Sequence, residues 1–245
     1  MKRIGLLVLL LAAAGALSAS GADLPSKMTY LFFVQGKPAG RSDITTALQD
    51  GAYVISSSED VVFGEFHQKL ECRTEVDPRT LRARSFRFEG TRQGEPVSGV
   101  VKAEGDSVVG KLETKGVPYT GKAAWNDATF FFENYVSEHL VLVGRYLAAS
   151  TKRQTKFTLV FPSDMLSLSA VAEKDSEIEI PARPSPVVCT KYAVALQNAS
   201  PFLLFVDSQR KIPVYMVFPA TQTEVFLREV FGDHPQTNYS PPSEP

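Results

Sequence analysis

Twelve residues in the first third of the chain decide the fold: Phe66-His-Gln-Lys-Leu-Glu-Cys-Arg-Thr-Glu-Val-Asp77. In this stretch apolar or uncharged side chains alternate with charged or strongly polar ones. A period of two is typical of a β-strand that lies with one face on a hydrophobic core and the other in water. The Asp77-Pro78 pair that follows favours a turn. The stretch therefore predicts a half-buried strand in an antiparallel sheet.

Similar segments flank this strand, and short turns join many of them. Asp50-Gly51 and Gly105-Asp106 are sequences that favour hairpins. Because the segments follow one another at regular spacing, we predict a meander in which consecutive strands pair. The other predicted strands are Met28–Val34, Ser42–Leu48, Ala52–Ser57, Leu81–Glu89, Val97–Ala103, Val108–Thr114, Lys156–Phe161, Met165–Ala172, Val187–Leu196, Phe202–Val206, Ile212–Phe218 and Glu224–Val230.

One helix interrupts the strands, over residues 129–149. Apolar side chains recur there with a period of 3.6, and Asn126 or Asp127 is a suitable residue to cap the first turn. Three charged residues are predicted to occupy the opposite side, namely Glu133, Glu138 and Arg145. The predicted packing face comprises Phe132, Tyr135, Val136, His139, Leu142, Val143, Tyr146 and Leu147.

The order meander, helix, meander predicts a mainly β fold. We expect a single curved antiparallel sheet, a half-barrel without a parallel crossover, packed on one central α-helix. The β domain is predicted over residues 23–231. The proline-rich segment 181–186 is predicted as a loop, since proline disrupts the interior of a sheet. Residues 232–245 contain four prolines and are predicted to be a disordered tail.

The N-terminus indicates export. Lys2 and Arg3 precede an apolar run from Leu6 to Leu17, and small residues follow up to Ala22. This pattern predicts a signal peptide over residues 1–22 and a periplasmic or secreted protein. Its removal takes away two basic residues, so 26 basic and 27 acidic residues become 24 and 27, a net charge of −3. Export and this weak charge argue against nucleic acid as a partner.

The two cysteines, Cys72 and Cys189, both fall in predicted strands. In an oxidising periplasm they could form a disulfide. Two buried free thiols are the alternative, because the sequence does not show whether their Cα atoms come within about 7 Å.

With these elements in place, the chain resembles exported bacterial proteins grouped as domains of unknown function, which have a large curved half-barrel sheet. The features that carry the resemblance are the Asp50-Gly51 hairpin, the Phe131–Leu147 helix, the late meander and an early aromatic strand with its turn, Tyr30-Leu-Phe-Phe-Val-Gln-Gly36-Lys-Pro-Ala-Gly40. The shape is also similar to that of the outer-membrane lipoprotein carriers, whose half-barrel holds acyl chains under a helical lid. The resemblance implies a fold and, by analogy, an apolar cavity.

A basic and aromatic strand is the first candidate binding feature. Arg82, Arg84, Phe86 and Phe88 share one face of Leu81–Glu89 if the strand is regular. Such a stripe could hold an anionic ligand, for example a lipid head group or a polysaccharide, by charge and stacking. Alternatively, a β-bulge separates the arginines from the phenylalanines, and the arginines pair with carboxylates of the neighbouring strand.

The packing face of the helix supplies the second candidate feature. Phe132, Tyr135 and His139 are predicted to line an apolar cavity beneath it. For His139 the alternative is a half-buried histidine with a hydrogen-bond partner.

Motifs of catalysis are not evident. The sequence contains no Gly-x-Ser-x-Gly elbow, phosphate-binding glycine loop or spacing of metal ligands, so no catalytic residue, metal or cofactor is predicted. Three hypotheses remain. The chain binds an apolar or lipid-like ligand, or it is an envelope protein that recruits a protein partner through strand edges, or, with least support, it hydrolyses an envelope polymer.

Overall fold

The computed structural model of the chain describes residues 24–238. The sequence of elements begins with eight strands: Lys27–Val34 (β1), Lys37–Gln49 (β2), Ala52–Phe63 (β3), Phe66–Val76 (β4), Ala83–Arg92 (β5), Glu95–Glu104 (β6), Ser107–Thr114 (β7) and Val117–Ala124 (β8). There follow Thr129–Phe131 (β9), Ser137–Ala149 (α1), Gln154–Phe161 (β10), Leu166–Ile180 (β11), Val187–Leu196 (β12), Ala199–Asp207 (β13), Pro213–Phe218 (β14), a 3-10 turn at Pro219–Thr221, Thr223–Leu227 (β15) and Arg228–Phe231 (α2).

The strands form one large curved sheet that does not close. Its order is β8-β7-β6-β5-β4-β3-β2-β1-β15-β14-β13-β12-β11-β10-β9, so two meanders meet where β1 pairs with β15. The predicted fold class, mainly β with one curved antiparallel sheet packed on a helix, is confirmed. The alternation that predicted β4 is also confirmed: Gln68, Leu70, Cys72, Thr74 and Val76 are all buried.

The prediction that no parallel crossover occurs was wrong. Strand β9 pairs with β10 in parallel, with Leu159 opposite Phe130, and α1 makes the connection between them. This pair also explains why the predicted helix began too early. Residues 129–131 are strand, and their spacing of apolar residues matches a helix only by coincidence. The side chain of Asn126 accepts from the Ala128 N–H at 2.8 Å in the turn before β9, and α1 begins at Ser137.

Helix α1 lies inside the concavity, and its residues from Ser137 to Arg145 are all buried. The three charged residues predicted on the side opposite the packing face, Glu133, Glu138 and Arg145, are buried as well, because both meanders contact the helix. On the first, Thr74 of β4 donates to Glu138 at 2.6 Å. On the second, the Tyr192 hydroxyl of β12 donates to the Leu147 carbonyl at 3.2 Å.

The two free ends of the sheet approach each other without pairing. Met165, in the turn between β10 and β11, packs against Gly110 of β7 and its cross-strand partner Gly121 of β8. A Cβ atom at Gly121 would lie 2.4 Å from Met165 Cγ, so the two glycines make room for this contact. Along the outer edge of β8, Val117 and Tyr119 remain exposed.

Gly121→Val is expected to lower the free energy of unfolding by about 1–3 kcal/mol, because the added side chain overlaps Met165. Urea unfolding measures the loss. Adding Met165→Ala should recover part of it, whereas Thr120→Val at an exposed neighbouring position should change little. Equal losses in the single and double variants would show that the contact with Met165 is not the cause.

The predicted terminal segments fall largely outside the described residues. The signal peptide predicted over residues 1–22 lies wholly outside them. Of the predicted tail, residues 232–238 are described. The Asn238 N–H donates to Glu224 Oε2 of β15 at 3.0 Å, which places this end of the chain against the sheet. The segment 181–186 is a loop, as predicted.

Candidate functional site: a groove beside α1

The concave face of the sheet is filled by the protein's own side chains. The small apolar cavity there has about 120 Å³ of space, and Phe132 and Tyr135 line it. Phe132 packs on Phe202 of β13, and Tyr135 packs on Phe66 of β4, with ring centroids 5.6 and 5.2 Å apart. Ligand pockets usually measure about 300–1,000 Å³. Of the three predicted cavity residues, Phe132 and Tyr135 therefore come together and His139 does not, and the cavity leaves too little room for an acyl chain.

The predicted stripe on β5 is divided by a β-bulge. Glu75 of β4 is opposite Ser85 and Val76 is opposite Ala83, so Arg84 is the extra residue. The bulge moves Arg84 to the exposed face, whereas Phe86 and Phe88 point into the core. The prediction of one face shared by Arg82, Arg84, Phe86 and Phe88 was wrong, and the alternative with a bulge is confirmed.

Arg82 and Arg84 line an open cleft of about 680 Å³ between β5 and the end of β8, close to α1. Trp125, Phe130 and Tyr146 provide its aromatic walls. Two further clefts, of about 320 and 500 Å³, adjoin it, and Tyr146 lines all three. We call these three clefts together the α1 groove.

Arg82 and Arg84 are both held in ion pairs. Arg84 Nη2 lies 2.6 Å from Asp77 Oδ2, and Arg82 Nη1 lies 2.8 Å from Asp127 Oδ1. The Thr80 N–H and the Arg84 guanidinium, in this order of effect, lower the pKa of Asp77 to about 2. The alternative prediction, pairing with a carboxylate of the neighbouring strand, is confirmed for Arg84.

Trp125 is the groove residue that sequence reasoning missed. It lies directly after β8, and the Arg82 guanidinium carbon is 5.9 Å from the centre of its ring. Although its side chain is only 3% exposed, its indole Nε1 has no hydrogen-bond partner within residues 24–238. The Nε atom of Arg82 is also buried and unpartnered there. Composition distinguishes Trp125 as the chain's only tryptophan. No local pattern in the sequence, however, predicts that it lies beside Arg82.

His139 is fully buried rather than half-buried. Its Nδ1 accepts from the Glu133 N–H at 3.0 Å, and its ring packs edge-on against Phe86 at 4.5 Å. Burial lowers the pKa of His139 to about 3, so the ring is neutral. The side chain is part of the core and does not reach the groove.

Glu133 joins the segment before α1 to both meanders. Its Oε1 accepts from Arg92 Nη2 of β5 at 2.9 Å, and its Oε2 accepts from the Ser163 N–H, beyond β10, at 2.8 Å. Arg92 Nε also donates to Gln68 of β4 at 2.9 Å. The network positions the start of the helix between the two halves of the sheet.

Two further carboxyl groups, Glu59 of β3 and Glu138 of α1, are buried together, and neither is in an ion pair with another residue of 24–238. Ser42 Oγ donates to Glu59 Oε1 at 2.9 Å. Burial, followed by the charge of Glu138, raises the pKa of Glu59 well above its ordinary value. Burial also raises the pKa of Glu138 to about 7. The protonated forms are therefore favoured in the folded protein.

The hydrogen bonding of this acidic pair is incomplete. Among the described residues, the Oε2 atoms of Glu59 and Glu138 and the hydroxyls of Ser57 and Ser137 have no partner. Ser57 lies near enough to both carboxyl groups to lower their pKa values, yet its Oγ makes no hydrogen bond of normal geometry. Both glutamates are fully buried.

Cys72 and Cys189 are buried free thiols, so the predicted alternative to a disulfide is what the structure contains. Six strands of the sheet separate their strands, β4 and β12. Within residues 24–238, no group of three or more histidine, cysteine or acidic side chains is placed to hold a metal ion. None of the helices in this range is long and apolar enough to cross a membrane.

Comparison with models of known protein families, with curated proteins and with solved structures finds no match.

Proposed function

We propose that this chain is an exported binding protein for an apolar or lipid-like ligand, and that the ligand occupies the α1 groove. The observation that carries the proposal is the contrast between the packed interior of the sheet and the open clefts at the end of the helix. The concave interior is packed, whereas the groove is open, and its cleft of about 680 Å³ is within the size range of small-molecule sites.

The walls of the groove suit binding better than catalysis. Tyr146, whose ring centroid lies 4.8 Å from that of Phe130, and Ala149 offer apolar surface at the end of the helix. The carboxylates at the wall, Asp77 and Asp127, are each paired with an arginine. A pKa of about 2 for Asp77 suits neither a general acid nor a general base at neutral pH.

The test is native mass spectrometry of the full chain after gentle purification, followed by titration with a fluorescent fatty acid. We expect a bound small molecule, or saturable binding of the probe. Ala149→Trp, which places a large side chain in the groove, should weaken probe binding about tenfold or more. Ala47→Trp, at an exposed position on β2, is the matched control.

A protein that is consistently empty and fails to bind the probe would overturn the proposal. Co-purification of one dominant protein without any small molecule would also overturn it, in favour of an envelope interaction role.

A further inference from the structure

We propose that the ligand of the α1 groove carries an anionic group, a carboxylate or phosphate, which binds beside Trp125 and replaces Asp127 on Arg82. The proposal rests on the proposed function, because it names the chemistry of the ligand for the same groove.

The charge of the groove is the first argument. In the two clefts that share Phe130, the acidic side chains are Asp77 and Asp127, and the basic side chains are Arg79, Arg82, Arg84, Arg145 and Lys211. Five positive and two negative groups give +3. The third cleft adds Lys152 and Lys156, which gives +5. The whole chain has a net charge of −1, so positive potential is concentrated in the groove, where it attracts anions.

Two unsatisfied donors at the wall are the second argument. Trp125 Nε1 and Arg82 Nε are buried, and neither has a hydrogen-bond partner in the described part of the chain. A buried donor without an acceptor costs about 1–3 kcal/mol. Both groups can only donate, so they require an acceptor such as an oxyanion. An anionic ligand supplies what the protein lacks at this wall.

Asp127 marks where the anion binds. Its side chain is 97% exposed, and it forms an ion pair with Arg82 Nη1. Exposed ion pairs contribute only about 0–1 kcal/mol, so a ligand oxyanion can replace this carboxylate at little cost. Once Asp127 is released, a rotation of the Arg82 side chain presents its donors to the ligand. The Asp127 carboxylate thus stands where the ligand's head group will be.

The apolar walls indicate that the anion has a hydrophobic part. From Trp125 the groove continues past Phe130 and Tyr146 along α1. Leu142 to Ala149 extends about 10 Å along the helix, at about 1.5 Å per residue. An inorganic anion would leave this surface uncovered, whereas a single-chain amphiphile covers both the basic end and the apolar walls.

Fluorescence of Trp125 tests the proposal directly, because it is the only tryptophan of the chain. The full chain is titrated with dodecanoate and dodecyl phosphate, each below its critical micelle concentration, and with the neutral dodecanol below its solubility limit. We expect both anions to bind about tenfold or more tightly than dodecanol, since a charge-assisted hydrogen bond is stronger than a neutral one. Added salt should weaken the anions selectively. The ratio of the two anions identifies carboxylate or phosphate as the preferred group.

Two variants distinguish a specific effect on anion binding from a loss of structure. Arg82→Gln should reduce the preference of the two anions over dodecanol several-fold. The control, Arg87→Gln, alters an exposed arginine of β5 that does not line the groove. Asp127→Asn removes the competing carboxylate and should tighten anion binding several-fold, a gain that misfolding cannot produce.

The outcomes distinguish a failure of the anionic-ligand proposal from a failure of the proposed function. Equal affinities for the anions and dodecanol, with no gain from Asp127→Asn, would overturn the anionic ligand but leave the proposed function intact. If none of the three compounds binds, both are overturned.

Discussion

Arg92→Met should lower the free energy of unfolding by about 3–5 kcal/mol, because it leaves the Glu133 carboxylate buried without its cation. The Glu133 side chain is 0% exposed, and that of Arg92 is 23% exposed, so water screens the pair weakly. Arg92 also donates to Gln68, and the Gln68 amide donates to the carbonyl of Asn134, just before α1. Chemical unfolding with urea measures the loss.

The matched control is Arg87→Met on the same strand. Its ion pair with Glu89 is more than half exposed on both sides, so its removal should change stability by less than about 0.5 kcal/mol. The double variant Arg92→Met with Glu133→Gln should recover part of the loss, because the buried charge is then absent. If both arginine variants lose the same stability, the burial of Glu133 is not the reason.

Glu138→Gln should stabilise the protein selectively at alkaline pH. The amide resembles the protonated carboxyl group but cannot ionise. Relative to the wild type, the variant should gain about 2–3 kcal/mol between pH 5 and pH 8, because burial raises the pKa of Glu138 from 4.5 to about 7. The measurement is urea unfolding of both proteins at these two pH values.

The direction follows from proton binding. A carboxyl group whose pKa is raised by folding binds more protons when folded than when unfolded. Its contribution to stability is complete below pH 4.5 and is lost as the pH rises through about 7. The raised pKa of Glu59 extends this loss to higher pH. The lowered pKa of His139 affects stability at acidic pH. The contribution of His139 to stability is present above pH 6.5 and is lost as the pH falls towards about 3.

Glu89→Gln is the control for the pH series, since Glu89 is exposed on the outer face of β5. Its difference from the wild type should be the same at both pH values. A Glu138→Gln difference that does not grow between pH 5 and pH 8 would contradict the assignment of the alkaline loss to this carboxyl group.

These buried polar contacts matter for the groove because they anchor its wall. Glu133 and Glu138 attach the beginning of α1 to β4 and β5, whereas the end of the helix, at Tyr146 and Ala149, lines the groove. A change that loosens the beginning of α1 should therefore alter the groove as well as the stability.

The strands could be predicted more completely than the elements between them. β4 and most of its neighbours follow from alternation, since burial on one face of a strand requires an apolar side chain at every second position. Strand β9 could not be predicted, because its three residues are all buried, without alternation, and their pairing depends on β10, beyond the helix. Strand β8 was missed because nearly all of its side chains are exposed.

The candidate site could be predicted only in part. Arg82 and Arg84 do line a cleft, but the predicted partners Phe86 and Phe88 are core residues. The register of β4 and β5 decided this by placing the extra residue at Arg84. Trp125 joins the arginines only because the chain returns to β5 after β8, a contact that no local pattern encodes.

The sequence by itself determined that the chain forms a curved sheet around an amphipathic helix, because the side-chain period is a local property of the backbone. The tertiary structure decided which polar groups are buried. Glu59 and Glu138 are separated by 79 positions in the chain and resemble any solvated acid in the sequence. They become a buried pair because the sheet curves until α1 lies against β3 and β4, and burial depends on every element that surrounds a side chain.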